Sequence, residues 1–174
     1  MIVIQLILLQ FIAHLLSDFI FQPQNWCDKK EKRVFTPYLL YHSTIVLVTS
    51  YVLSFDFGFW KAAILLTLFH FIIDSLKSHL IQKTKIKQLF FYDQFLHLIT
   101  FVGVVLLYDS NFGIQFLFEM ETKTLAIITG FLLCTKPANV IIKFLFLAFS
   151  IETPVDSPDN DEEKVFPMRE NLLV

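Results

Sequence analysis

The feature that most constrains the fold of this chain is a set of ionisable residues inside long apolar runs. Residues 58–79 are largely apolar, yet they include His70, Asp74 and Lys77. Intervals of four and three residues place these side chains on one face of a helix. Such a run is long enough to cross a lipid bilayer. A charged side chain at the centre of a span costs roughly 2.5 to 3.5 kcal/mol, so it usually faces other helices and pairs with a partner there.

The composition of the chain favours a membrane protein with several spans. Of the 174 residues, 55% are hydrophobic and 21 are phenylalanine, whereas only 17% are charged. Ordinary globular domains contain about 25% charged residues. The net charge of −2 and the lack of a dense basic block exclude nucleic acid as the expected partner. Cys27 and Cys134 have neither CxxC nor zinc-ribbon spacing, and we expect both to be unbridged thiols.

The hydrophobic pattern predicts an all-α membrane protein, with a bundle of four transmembrane helices plus a fifth, broken or re-entrant, apolar helix. The four helices are expected at residues 1–21, 37–55, 59–78 and 89–108, with a short turn at 56–58. The fifth apolar run, 125–149, is interrupted at 135–139 by a segment containing Pro137, which removes a helical hydrogen bond. Residues 1–149 thus form one predicted domain. Residues 150–174 are acidic and contain proline, so we expect a disordered tail.

The first apolar run is interpreted as a retained helix and not as a signal peptide. It has no basic start and no small-residue cleavage site. Four polar residues recur in it at every fourth position, and they are Gln10, His14, Asp18 and Gln22. This spacing predicts one polar stripe on a helix that is otherwise apolar.

Basic residues are concentrated in two of the predicted loops. The loop between helices one and two and the loop between helices three and four contain Lys29, Lys30, Lys32, Arg33, Lys83, Lys85 and Lys87. The loops on the other side offer only Lys61 and Lys123. Because short cytoplasmic loops are enriched in Lys and Arg, we expect the two basic loops and the acidic tail in the cytoplasm, with the N-terminus outside.

This orientation brings polar residues of all four helices to similar depths. Measured from the cytoplasmic helix ends, one histidine per helix lies roughly five to nine residues deep, or about 8 to 13 Å. Three carboxylates lie about one helical turn closer to the cytoplasm. The residues are His14, His42, His70 and His97, with Asp18, Asp74 and Asp93. We interpret the layer of imidazoles and the layer of carboxylates as one site.

The chemistry of this residue set indicates a metal site. Carboxylates packed together in a low-dielectric bundle repel one another, so they take up protons or are neutralised by a cation. A mixed His/Asp set suits zinc, manganese or iron better than magnesium or calcium. We therefore expect a divalent metal, zinc foremost, with His14, His70, His97 and Asp74 as the first choice of ligands. The surplus residues, including His42, would hold a second metal, orient the ligands or act as a base.

A metal-dependent hydrolase is the leading interpretation of the site. A bound metal lowers the pKa of its water toward 7 and thereby supplies a nucleophile. Asp18 or Asp93 is the expected general base. Lys77 lies one turn beyond Asp74, where it either snorkels to the interface or holds the anionic part of a substrate. The lipid bilayer is the expected partner, and a lipid or another amphiphile is the expected substrate.

Two other interpretations of the polar layer stay open. The same residues could relay ions or protons in a coupled transporter. The outer helix halves, such as residues 2–9 and 102–107, have almost no polar residues to line such a route. Alternatively, the His/Asp pairs are structural ion pairs that fix helix register in a non-catalytic membrane partner protein.

The order of the polar motifs resembles that of a bacterial family of membrane proteins. The motifs are HLLSDFIFQ at 14–22, the lone His42, HFIIDSLK at 70–77 and DQFLH at 93–97. They are similar to the HxxxDFxxQ, His, HxxxDxxK and DQxxH motifs of the family called domain of unknown function 3307. The resemblance covers about residues 1–110 and implies a polytopic protein of the bacterial inner membrane. Because that family has no assigned activity, the resemblance strengthens the site and not the reaction.

Overall fold

Helices are the only regular secondary structure in the part of the chain that the structure describes. This computed structural model describes residues 2–27, 36–83, 88–118 and 120–149. The predicted tail, 150–174, lies outside these ranges, as do the basic residues within 28–35 and at 85 and 87. The expectation of an all-helical protein is confirmed for the described residues.

Six helices of 12 or more residues follow one another along the described chain. They are α1 (Ile2–Leu15), extended by a π-helical turn (Leu16–Ile20), α2 (Pro37–Ser54), α3 (Trp60–Lys83), α4 (Leu89–Phe112), α5 (Thr122–Leu133) and α6 (Lys136–Phe149). Helices α3 and α4 continue past their predicted ends at Ser78 and Tyr108, and Lys83 ends α3 instead of lying in a loop. An apolar run shows only which part of a helix suits lipid. The helix itself can continue beyond that run, because polar residues such as Lys and Gln also form helix well.

Local signals fix both ends of α2. The Thr36 hydroxyl accepts a hydrogen bond from the Leu39 N–H (3.4 Å), and Pro37 begins the first turn. At the other end, Phe55 adopts a left-handed conformation with φ of 49°. The Asp56 carboxylate then accepts a hydrogen bond from the Gly58 N–H (2.8 Å), which forms the predicted turn. Because these local signals fix where α2 begins and ends, they also fix the position of His42 along the helix.

Three helical segments are long and apolar enough to cross a membrane. They are Ile2–Ile20, Phe57–Ile81 and Leu89–Phe112. The pair α5 and α6 forms a fourth candidate if it counts as one span, and it is bent by 52° at the predicted interruption. Pro137 lies in the first turn of α6, where proline is tolerated.

Helix α2 is not among the spanning candidates, although the sequence predicts it as the second span. Its apolar residues are diluted by polar ones, including His42, Ser43, Thr49 and Ser50, which are all buried. A helix that buries its polar side chains against its neighbours can be less apolar than a helix surrounded by lipid. The predicted total of four spans plus a broken fifth helix therefore stays a prediction.

Helix α1 lies at the centre of the packing. It contacts α2, α4 and α5, while α2 packs on α3 and α3 packs on α4, so that α1 to α4 form a ring. Half of the α1 span is buried (50%), compared with 33% for the spans of α3 and α4. Because α1 has neighbours on most sides, its polar stripe faces protein and not lipid.

An apolar core fills the ring at the end where α1 begins. Leu6, Phe59, Ala63 and Val105 are fully buried there, and Phe101 lies at the edge nearer to His14. A second cluster joins α1 to α5, and a third joins the π-helical turn to α4 and α6. The polar residues of α1 therefore lie between two apolar regions.

Candidate metal centre

Seven polar residues from four helices meet at one end of the ring. Each side chain is 11% exposed or less. The residues are His14 and Asp18 from α1 and its π-helical turn, His42 from α2, His70 and Asp74 from α3, and Asp93 and His97 from α4. The structure thus brings together every residue that the sequence singles out as a candidate ligand. We call this set the polar cluster.

The π-helical turn sets the position of Asp18. The Phe21 N–H donates to the carbonyl of Leu16, five residues earlier, at 2.8 Å. Ser17 is fully buried, and its hydroxyl lies 3.0 Å from the His14 carbonyl and 3.1 Å from Asp18 Oδ1. Turns of this type often occur at functional sites. The sequence predicts an ordinary helix here, because hydrophobic periodicity does not distinguish one wide turn from regular α-helix.

Two histidine nitrogens of the polar cluster lie close to the same two carboxylate oxygens, and we call this group position one. The Nε2 atoms of His42 and His70 lie 2.9 Å apart. Asp18 Oδ1 lies 3.5 Å from the first and 3.7 Å from the second. Asp74 Oδ2 lies 3.7 Å and 3.9 Å from the same two nitrogens. These five separations describe a compact group of two nitrogens and two oxygens.

A second group, position two, lies on the other side of Asp74. His97 Nε2 is 3.7 Å from Asp74 Oδ1 and 3.5 Å from Asp93 Oδ1. Both His97 Nε2 and Asp93 Oδ1 are buried without a hydrogen-bond partner. Buried polar atoms without partners are rare in native proteins, and a bound ion is one group that can satisfy them.

His14 lies at the edge of position one. Its Nδ1 is 3.6 Å from Asp18 Oδ1, and its Nε2 lies 3.3 Å from Gln94 Oε1. Gln94 in turn donates a hydrogen bond from Nε2 to Asp93 Oδ2 (3.0 Å). Gln94 therefore links the imidazole of α1 to the carboxylate of α4, and it holds both in place.

Lys77 turns into the polar cluster. Its Nζ donates a hydrogen bond to Asp93 Oδ2 (2.9 Å) and lies 5.9 Å from the centre of the Phe90 ring. The side chain is 27% exposed, whereas that of Asp93 is 3% exposed. The buried carboxylate of Asp93 thus holds the ammonium group of Lys77 at the edge of the polar cluster. Of the two roles expected for Lys77, both the snorkelling role and the substrate-binding role stay predictions.

The distances within the polar cluster can be compared with those expected for hydrogen-bonded ion pairs and with those expected for the ligands of a metal. All seven His–Asp contacts in the described residues measure 3.5 to 3.9 Å. A charge-assisted hydrogen bond is about 2.7 to 2.9 Å long. Ligand atoms about 2.0 to 2.1 Å from a tetrahedral metal lie about 3.3 Å from one another. The His–Asp contacts are longer than such hydrogen bonds and close to the separation of ligand atoms around one metal, so the donor set fits a metal. The Nε2 atoms of His42 and His70, in contrast, are at hydrogen-bonding distance from each other.

A small cavity adjoins the imidazoles on the side away from the carboxylates. Its volume is about 30 Å³, and it is lined in part by Gln10, Thr49, Ser50 and Thr100. Gln10 donates to the Ser50 carbonyl (3.1 Å) and accepts from the Ser50 hydroxyl (2.6 Å). The lining is mostly apolar but includes these polar side chains, and the cavity is large enough for a water molecule. The polar stripe of α1 was the sequence signal for Gln10, and no signal pointed to Thr49 or Thr100.

Together, the fold and the polar cluster define a class: an all-helical protein with several potential membrane spans and buried His/Asp groups. The chain belongs to the family described as protein of unknown function DUF3307, whose model matches residues 6–125. The match includes the whole polar cluster and ends near the start of α5. The expected resemblance is thereby confirmed. No curated protein and no solved structure matches the chain.

Proposed function

We propose that this protein binds a divalent metal within the membrane and uses it to hydrolyse a lipid or another amphiphile near the cytoplasmic face. The observation that carries the proposal is the proximity of Asp18, His42, His70 and Asp74, whose His–Asp separations are longer than charge-assisted hydrogen bonds. Their mixed nitrogen and oxygen donors favour zinc, with manganese or iron as alternatives.

Asp18 is the proposed general base: its Oδ1 would face the metal, and its other carboxylate oxygen would accept the proton. A bound metal would supply an activated water, and a base must then reach that water to accept its proton. Of the two candidates, Asp18 is the more exposed, at 11% compared with 3% for Asp93. Asp93 already accepts hydrogen bonds from Lys77 and Gln94. Asp93 would therefore act as a ligand or hold Lys77 in place.

Lys77 is the proposed contact for the anionic part of the substrate. An ammonium group has three N–H donors. The contact with Asp93 uses one of them, and the side chain remains 27% exposed. Because Lys77 lies at the more exposed edge of the cluster, its remaining donors are available to a headgroup that approaches from the membrane surface.

The two alternative functions receive less support. A transporter needs a polar route across the membrane, but Leu6, Val104 and Val105 fill the ring beyond the cavity and are at most 3% exposed. A purely structural set of ion pairs would be expected at hydrogen-bonding distance, and the His–Asp contacts are longer than that.

The proposal includes the membrane arrangement expected from the sequence. The protein would lie in the bacterial inner membrane with α1 to α4 and the bent α5–α6 pair embedded in it. The N-terminus would lie outside. The polar cluster would lie toward the cytoplasm, because the basic residues that come after residue 27 and after α3 in the sequence would be cytoplasmic under the positive-inside rule.

Metal content is the first measurement. The protein purified in detergent is analysed beside a variant that carries both His70→Ala and Asp74→Ala. The control is His79→Ala, because His79 is on the same helix but exposed. We expect at least one equivalent of zinc, manganese or iron in the parent and the control, and none in the folded double variant. A parent that binds no metal when supplied with it would overturn the proposal.

Hydrolysis is tested separately with the metal-loaded protein in vesicles made of bacterial lipids. Release of water-soluble headgroups or of fatty acids is measured for the parent, for Asp18→Asn and for His79→Ala. We expect a loss of at least tenfold in Asp18→Asn and no change in the control. Metal binding without any lipid product would restrict the proposal to a metal-binding protein.

A further inference from the structure

We propose that the polar cluster holds two metal ions bridged by Asp74, one at position one and the other at position two. This inference rests on the proposed metal site and goes beyond it by assigning the ligands to two ions. Position one consists of Asp18 Oδ1, His42 Nε2, His70 Nε2 and Asp74 Oδ2. Position two consists of Asp74 Oδ1, Asp93 Oδ1 and His97 Nε2.

The carboxylate of Asp74 faces two different sets of ligands. Oδ2 is directed at His42 and His70, at 3.7 and 3.9 Å. Oδ1 is directed at His97, at 3.7 Å. A carboxylate that shares its two oxygens in this way is suited to bridge two ions, and paired catalytic metals lie about 3.5 to 4 Å apart.

The imidazoles are arranged to serve neighbouring ions. The rings of His70 and His97 are stacked with their centres 4.1 Å apart and their planes at 26°. Two stacked rings cannot direct their Nε2 atoms at one ion from well-separated directions, but they can each bind one of two adjacent ions. The spacing of the rings also agrees with the separation of paired metals.

Among the described residues of the polar cluster, three side-chain atoms are buried without a hydrogen-bond partner: His42 Nδ1 and two atoms at position two. His97 Nε2 and Asp93 Oδ1 are buried without hydrogen bonds, although they lie only 3.5 Å apart. A metal bound between them would give both atoms a partner at once. An ion at position one would not satisfy these two atoms, because its ligands lie on the Oδ2 side of Asp74.

Position two has three protein ligands, and this number suits a catalytic ion. Catalytic metal sites commonly have three protein ligands and leave a further position for water or substrate. Lys77 and Gln94 both contact Asp93 Oδ2 and leave Oδ1 available for the ion. The hydrogen bonds to Oδ2 would fix the carboxylate in the orientation that the ion requires.

The test is the stoichiometry and magnetic coupling of manganese in the full chain purified in detergent. The metal is removed by chelation and replaced by Mn²⁺, and elemental analysis is combined with electron paramagnetic resonance. We expect two equivalents of manganese and a spectrum of an exchange-coupled pair. The control His79→Ala should give the same result.

Variants distinguish the two positions. His97→Ala should retain one equivalent with the spectrum of an isolated ion, and so should His42→Ala. Asp93→Asn is the second variant for position two, because it keeps the size of the side chain and its contacts with Lys77 and Gln94. Asp74→Ala should abolish the coupled signal.

Each alternative result has a separate meaning. One equivalent in the parent, with an isolated-ion spectrum, would overturn the two-metal inference and leave the proposed metal site intact. Two equivalents without coupling would overturn the bridging role of Asp74. No bound manganese, and no zinc or iron either, would overturn the proposed function as well.

Discussion

Lys77 and Asp93 illustrate how single residues are accommodated in this protein. Neither is stable alone in an apolar environment, and each has the other as its nearest charged partner, at 2.9 Å. The pair lies on facing helices, so its formation depends on the packing of α3 against α4. Two hydrogen bonds to Asp93 Oδ2, from Lys77 and Gln94, then determine where Oδ1 is directed.

We predict that Lys77→Met destabilises the metal-free protein by about 3 to 5 kcal/mol, because it leaves the buried Asp93 carboxylate without a cation. Metal loading should recover much of this loss, since a bound ion would also compensate the carboxylate. The measurement is thermal unfolding in detergent with and without chelator. The control is Lys143→Met, because Lys143 is exposed. An equal loss in the metal-free and metal-loaded proteins would count against an ion near Asp93.

At the scale of elements, the turn between α2 and α3 is tied to the end of α4. The Asp56 carboxylate is 4% exposed and accepts hydrogen bonds from the Gly58 N–H (2.8 Å), the Tyr108 hydroxyl (2.9 Å) and the Gln115 N–H (2.9 Å). The Phe55 carbonyl also accepts a hydrogen bond from the Leu117 N–H (2.7 Å). This network closes the end of the ring opposite the polar cluster and fixes how α3 and α4 begin and end there.

We predict that Gly58→Ala destabilises the protein by about 1 to 3 kcal/mol. A Cβ atom at this position would lie 2.7 Å from the Tyr108 hydroxyl and 3.2 Å from Asp56 Oδ1. Combining it with Tyr108→Phe should cost less than the sum of the single changes, because the clashing hydroxyl is absent. Gly103→Ala is the control, since a Cβ there meets nothing within 4 Å. The free energy of unfolding is measured in detergent. If the losses from the two single changes simply add, the clash between the new Cβ and the Tyr108 hydroxyl is not the cause of the destabilisation.

At the scale of the whole molecule, the predicted orientation places the polar cluster and Cys27 on the cytoplasmic side. Neither cysteine forms a disulfide, as expected, so both can be used as chemical markers. We predict that Cys27, in a Cys134→Ser background, reacts with a membrane-impermeant maleimide in inside-out vesicles only.

The matched marker is Ser110→Cys, at an exposed position near the end of α4, with both native cysteines replaced by serine. It should react only in right-side-out vesicles, because α4 runs in the outward direction under the positive-inside rule. Labelling of both markers from the same side would contradict an odd number of membrane crossings between them, and thus the predicted span of α2. If each marker reacts only in the vesicles expected for the other, the orientation is opposite to the predicted one.

The candidate site was largely predictable from the sequence because its signals are local. The i, i+4 spacings of His14 with Asp18, His70 with Asp74 and Asp93 with His97 are visible in the chain itself. The cost of ionisable groups in apolar helices then predicts that such pairs meet in the interior. Helix ends were predicted less well, because α3 and α4 continue as polar helix beyond their apolar runs.

By itself, the sequence determined the helical class, the bend near Pro137 and the identity of the seven clustered residues, since periodicity and composition act over a few turns of one helix. Only the tertiary structure decided which atoms meet. The π-helical turn at Asp18, the inward direction of Lys77 and the division of Asp74 between two groups depend on how α1 to α4 pack against one another. Contacts between helices follow from shapes and distances in three dimensions, and the spacing of residues along one helix does not contain them.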